Sequence, residues 1–205
     1  MAPNGIPGEP APCETDDLMK QVQRGDMHAY QELIRRYQKK VFRVISSYVR
    51  NPEDAMEVLQ DTFLKVYTAR HAWEQRFSFS GWLYRIAINA SIDRYRRSDR
   101  GRTSSLEEIM EKAPQQAATV DPAGDPIDRL QDRDRHRLIE EAVRRLPPRQ
   151  REVVSLRFFG DMRLEEIAAM LDCPLGTVKS NLHKAVMGLK GMLLEHKEAL
   201  HYDSL

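Results

Sequence analysis

The stretch LEEIAAMLDCPLGTVKSNLHKAVMGL, residues 164–189, reads as two amphipathic helices around a tight turn. Leu164, Ile167, Ala168 and Leu171 fall at i, i+3, i+4 and i+7, one apolar helical face. Asp172-Cys173-Pro174 interrupts that face, and Pro174, with its preset φ and missing N–H, suits the start of a new helix. Val178, Leu182, Ala185, Val186 and Leu189 make the next apolar stripe. At about 100° per residue, Thr177, Ser180 and Lys184 point the other way, flanked by Lys179 and His183. Gly176 lets the backbone near the helix start approach a surface closely. A helix face of short polar groups and cations suits the major groove, where cations meet phosphates and short side chains meet base edges. The same pattern also fits a helical hairpin in any α-domain, so the rest of the chain has to decide.

The chain has 205 residues, 41% hydrophobic and 31% charged, with a formal net charge of +1. The balance is uneven along its length. Residues 18–100 carry 16 Lys and Arg against 9 Asp and Glu, residues 101–124 carry 2 against 4, and residues 125–205 carry 14 of each. A basic region, a mildly acidic connector and a neutral second region follow. Cys13 and Cys173 are the only cysteines, and no zinc-type spacing accompanies them. No two of the six histidines stand at helical ligand spacing, so no catalytic residue, metal site or cofactor is expected. No apolar run approaches the ~20 residues of a membrane span, and no basic-then-apolar leader opens the chain. The expectation is a cytoplasmic protein without membrane insertion.

Outward from the hairpin, residues 1–17 hold four prolines and two glycines and read as a disordered tail. Helical patterning starts near Asp17, breaks at Gly25-Asp26 and runs on to Asn51-Pro52. The helix after Pro52 buries Ala55, Val58, Leu59, Thr62, Phe63 and Val66. Opposite stand Asp54, Glu57, Asp61 and Leu64, bordered by Gln60 and Lys65. Three carboxylates in a row repel one another, and a leucine among them suits a basic, partly apolar partner; a solvated polar face is the plainer alternative. The loop from Ala72 to Gly81 holds three aromatic residues. Trp73 and Phe79 suit core plugs, whereas Arg76 and Phe77 suit stacking on unpaired bases. In the helix that follows, Arg85, Asn89 and Arg96 share one side, joined near its end by Arg94, Arg97 and Arg100. Asn binds an adenine edge and Arg a guanine or a phosphate, although cations at a helix C-terminus also complement its dipole. Residues 101–124 read as a linker with one short helix near Leu106–Met110. A charged helix from Pro126 to Leu146 and another from Arg149 to Phe159 lead back to the hairpin.

The order of these parts resembles the extracytoplasmic-function subfamily of bacterial RNA polymerase sigma factors. The resemblance is carried by Pro52-Glu53-Asp54-Ala55 with Leu59-Gln60-Asp61-Thr62-Phe63, by Gly81 through Asn89, by Leu146 through Val154, and by Glu165-Glu166-Ile167-Ala168 with Pro174 through Ser180. It implies an all-α chain of two small helical domains, 18–100 and 125–195, joined by a flexible linker over 101–124. The second contains the helix-turn-helix, and residues 196–205 form a C-terminal tail. It further implies that Asp54, Glu57, Gln60, Asp61 and Leu64 bind core polymerase. Trp73, Arg76, Phe77, Arg85, Asn89, Arg96 and Arg97 would hold the melted minus-ten element. Gly176, Thr177, Lys179, Ser180, His183 and Lys184 would read the duplex minus-thirty-five element. An anti-sigma factor is the expected inhibitory partner. The chain departs from the family at Arg163, where a Ser or Thr cap is common, a loss worth about 1 kcal/mol. It departs again at Asn181, where Arg is common. The competing expectation is a stand-alone helix-turn-helix regulator, which needs neither the acidic face nor the aromatic loop.

Overall fold

The computed structural model describes residues 12–76, 78–102 and 137–202, all helix, turn or loop. Helix α1 spans Pro12–Gln23, α2 Met27–Ser46, α3 Pro52–Thr68 and α4 Phe79–Arg102. Helix α5 covers 137–145. It is followed by α6 (Pro148–Val154), a π turn (Ser155–Phe159), α7 (Leu164–Met170) and α8 (Leu175–Tyr202). The all-α expectation holds. The expected linker helix and the expected start of the charged helix at Pro126 lie outside the described residues.

Local chemistry explains most boundaries. Asp26 caps α2 by accepting from the His28 and Ala29 N–H groups at 2.8 and 3.1 Å. Asn51 does the same for α3 through Glu53 N–H at 2.8 Å, with Pro52 at the first helical position. The start of α4 is capped from far away. Asp16 on α1 accepts the Phe79 N–H at 3.2 Å, and burial holds its carboxyl above the usual range while that bond and Lys20 pull it down. Two boundaries correct the reading of the sequence. Helix α1 begins at Pro12, inside the supposed tail, because Thr15, Met19 and Val22 lie on one buried stripe and Pro is tolerated in a first turn. Helix α8 runs through 196–202, continuing the supposed second domain into the C-terminal tail.

The two helical regions are not independent balls. Leu33, Val44, Ile45, Leu83, Tyr84 and Ala87 from the first share one apolar cluster with Val153, Leu156, Met162, Ile167 and Val178 from the second. Polar contacts cross the same seam. The buried Tyr84 hydroxyl donates to the Gly160 carbonyl at 2.9 Å. Ser47 and Ser155 lie 2.7 Å apart, oxygen to oxygen. Ser47 gives its one O–H to the Val44 carbonyl at 2.6 Å, so Ser155 is the donor in the pair. Arg144 donates to the Ser46 carbonyl at 2.7 Å. A smaller cluster of Val143, Leu146, Val154 and Ala185 holds α5, α6 and α8 together.

Gly160 is dictated by this seam. A Cβ there would lie 2.8 Å from the Leu156 carbonyl oxygen and 3.1 Å from the Tyr84 ring. Gly160→Ala is therefore expected to lower the unfolding free energy by about 1–3 kcal/mol through overpacking. Tyr84→Phe is expected to lower it by about 1–2 kcal/mol by leaving a buried carbonyl unpaired. Urea unfolding of the full chain measures both; wild-type midpoints in both would show that the seam contributes nothing.

Candidate nucleic-acid and partner interfaces

The polar face of α8 stands as the hairpin pattern predicts. Val178 and Ala185 are fully buried and Leu182 and Leu189 half-buried, whereas Val186, expected in the apolar stripe, is 44% exposed. Gly176, Thr177, Lys179, Ser180, His183 and Lys184 are all exposed on one continuous surface. The turn before α8 is made by Asp172 in the left-handed region (φ 49°), which Asp tolerates better than most residues. The Pro174 carbonyl then accepts Thr177 N–H at 2.9 Å and opens the helix. Asn181 turns back on its own helix and donates to the Thr177 carbonyl at 2.9 Å. The missing cap at Arg163 is half replaced. A guanidinium has no acceptor, but Glu166 reaches back to accept the Arg163 N–H at 2.8 Å, the reciprocal half of a capping box.

On α3 the apolar stripe is buried as expected, and Glu57, Gln60, Asp61 and Leu64 face solvent. Leu64 is 61% exposed, and Met56 extends the apolar part of this surface. Asp54 is half-buried and paired with Arg94 of α4, which also reaches Glu57 at 3.0 Å. The sequence reading grouped Arg94 with the basic end of α4. Rotation of about 140° from Asn89 turns it toward α3 instead. That pairing is the element of the site that sequence reasoning missed, since an ion pair 40 residues apart leaves no periodic signal.

The candidate minus-ten residues divide. Arg85, Asn89, Arg96 and Arg97 are exposed on α4. Arg85 also donates to the Met170 carbonyl at the end of α7. Arg85 and Asn89 thus line a cleft of about 250 Å³ whose far wall is Arg149, Glu152, Met170 and Asp172 of the second region. Arg76 is exposed in the loop and paired with Glu74 at 2.6 Å. Phe77 lies outside the described residues. Trp73 is corrected. The residue is only 3% exposed within the main core, and its carbonyl accepts from Gln23 at 2.9 Å, so it is a plug and leaves the base-contacting set. Phe79 is likewise buried, with its ring centroid 5.4 Å from that of Tyr37.

Among the described residues no group of three or more His, Cys, Asp or Glu could hold a metal ion. No described helix is long and apolar enough to cross a membrane.

Comparison with known proteins agrees with this layout. Residues 33–101 match the family described as Sigma-70 region 2, and residues 136–187 match Sigma-70, region 4. The chain is 31% identical over 169 residues to the ECF RNA polymerase sigma-E factor of Salmonella typhimurium, covering 82% of this chain and 88% of that one. It is 28% identical over 176 residues to the ECF RNA polymerase sigma factor SigW of Bacillus subtilis, covering 85% and 94%. Its fold is similar to that of the sigma factor RpoE of Bartonella quintana, solved with the anti-sigma factor NepR, with a TM-score of 0.61 and 20% identity over 80% of this chain and 96% of that one. Both sigma-70 regions thus occur in order in a chain that matches such relatives over most of its length, and it belongs to the extracytoplasmic-function subfamily of sigma-70 RNA polymerase sigma factors.

Proposed function

We propose that this sigma factor joins core RNA polymerase through α3, anchors it upstream through α8 and holds melted promoter DNA along α4 and the loop before it. The observation that carries the reading is the α3 surface. A helix otherwise packed into the core leaves Glu57, Gln60, Asp61 and Leu64 open to solvent. A stand-alone regulator has no use for such a face, whereas a basic, partly apolar surface on polymerase complements it. Asp54, Glu57, Gln60, Asp61 and Leu64 form the docking set. Arg76, Phe77, Arg85, Asn89, Arg96 and Arg97 form the strand-holding set. Gly176, Thr177, Lys179, Ser180, His183 and Lys184 form the duplex-reading set.

The mechanism uses binding energy alone. Opening a duplex costs roughly 1.4 kcal/mol per base step in lost stacking. A base held out of the helix regains about 1–3 kcal/mol when it stacks on a ring, and Asn89 adds base-edge hydrogen bonds. Polymerase supplies the reaction and its metal. The chain works in the cytoplasm, and its two regions part as they engage DNA. Arg85 requires that parting, because its guanidinium is held by the second region in the closed arrangement. An anti-sigma factor is the inhibitory partner, a reading supported by the similar RpoE fold having been solved with one.

The deciding experiment mixes the purified chain with core polymerase, follows comigration and looks for promoter-dependent transcripts. A chain that shifts duplex DNA alone and never joins polymerase would be the stand-alone regulator. Asp61→Lys is expected to weaken polymerase association at least tenfold in a pull-down while leaving the unfolding midpoint unchanged, because its side chain is exposed. Lys184→Ala is expected to weaken upstream-element binding about equally for all sequences and to lower the salt slope of the holoenzyme by about one. An unchanged slope takes Lys184 out of the phosphate contacts.

A further inference from the structure

The carboxylates of α3 are not all equally available. Asp54, Glu57 and Asp61 fall within one narrow arc of the helix, where like charges repel. Arg94 of α4 bridges the first two, one guanidinium nitrogen on Asp54 and the other 3.0 Å from Glu57. Asp61 has no ion-pair partner among the described residues, although it lines a small depression with Glu57, Lys65, Arg94 and Arg97. One internal cation, Arg94, therefore offsets the charge of the N-terminal half of the acidic row, and Asp61 and Leu64 stay exposed without an ion pair.

We propose that Arg94 is a built-in competitor for the docking face: its guanidinium occupies Asp54 and Glu57 in the free chain, and a cation of core polymerase displaces it on docking. The inference rests on the reading of α3 as the docking face and names how that face is regulated.

Three observations carry it. The bridge is replaceable, because the Arg94 side chain is 34% exposed and Glu57 63% exposed, and ion pairs open to water contribute little to stability. The two helices also share the apolar core, to which α3 contributes the buried Val58 and α4 the buried Ala87 and Ala90. Asp54, only 28% exposed, still requires some cation, because a part-buried carboxylate left alone is costly. Exchange of one cation for another meets all three conditions, whereas loss of Arg94 without replacement does not.

The test measures binding of the full-length chain to purified core polymerase by fluorescence anisotropy. Arg94→Met keeps the aliphatic stem and removes the charge; it is expected to bind at least threefold more tightly than wild type. Unchanged or weaker binding with an unaltered unfolding midpoint makes Arg94 a strut or a contact residue and overturns the proposal. If Arg94→Met does not fold, two exposed substitutions decide. Asp61→Asn is expected to lose at least five times more affinity than Glu57→Gln, because Glu57 must give up its bridge to Arg94 to bind whereas Asp61 has no ion pair to break. Equal losses overturn the proposal. Failure of the wild type to bind core polymerase at all is the separate failure of the docking reading.

Discussion

The hydrogen bond from Tyr84 to the Gly160 carbonyl fixes how the two halves of the chain meet. Tyr84 lies on α4, which packs against α1, α2 and α3 on one side of the molecule and α7 on the other. Gly160 closes the π turn, whose Gly160 N–H donates five residues back to the Ser155 carbonyl at 2.9 Å. Asp161 follows with φ 58°, reversing the chain so that Met162 is buried. The bond itself contributes only about 1 kcal/mol. Its importance is directional. Apolar burial of Leu156, Met162 and Ile167 drives the halves together, but burial is indifferent to rotation. A buried hydroxyl and carbonyl that must find each other allow one docking angle, and the absence of a Cβ at position 160 makes room for the ring.

That docking angle apportions α4. One side belongs to the shared core, a second faces α3 through Arg94, and a third carries Arg85, Asn89 and Arg96. The third side opens on the cleft between the regions, where Arg85 is held by the end of α7. The free chain therefore holds Arg85, a cation of the proposed strand-holding set, on its own backbone carbonyl. The exposed face of α8 is not used in this way, since all six of its candidate groups remain at the surface. The closed arrangement bears unequally on the two candidate DNA surfaces: upstream reading is open, strand capture partly covered.

Periodicity made the helices legible. The stripes of α2, α3 and the hairpin are strongly amphipathic, and the caps Asp26 and Asn51 sit beside the residues they serve. What escaped depends on contacts between distant residues. Thr15 and Asp16 look like tail until Asp16 is seen to cap Phe79. Trp73 had two readings at the sequence level, plug and base contact, and only its burial separates them. The exposed Lys179, Ser180 and Lys184 were legible because one helix displays them all. The cleft beside Asn89 was not, because most of its wall comes from residues 149–172.

The acidic row on α3 poses a last physical question: how a helix keeps three carboxylates together when no partner is bound. Like charges one turn apart cost a few tenths of a kcal/mol each, partly offset at Asp54 by the N-terminal end of the helix dipole. Arg94 removes most of the remaining repulsion by sitting between the two carboxylates nearest that end. A single exposed cation can do this without competing strongly against a protein surface. A partner that presents several cations and an apolar contact for Leu64 gains from all of them at once, whereas Arg94 gives up one solvent-accessible bridge. A lone cation in solution faces an occupied site. On the proposed docking face, the same arrangement that relieves the folded chain of its own repulsion raises the threshold for binding, and favours a partner matched to the whole face over one matched to its charge alone.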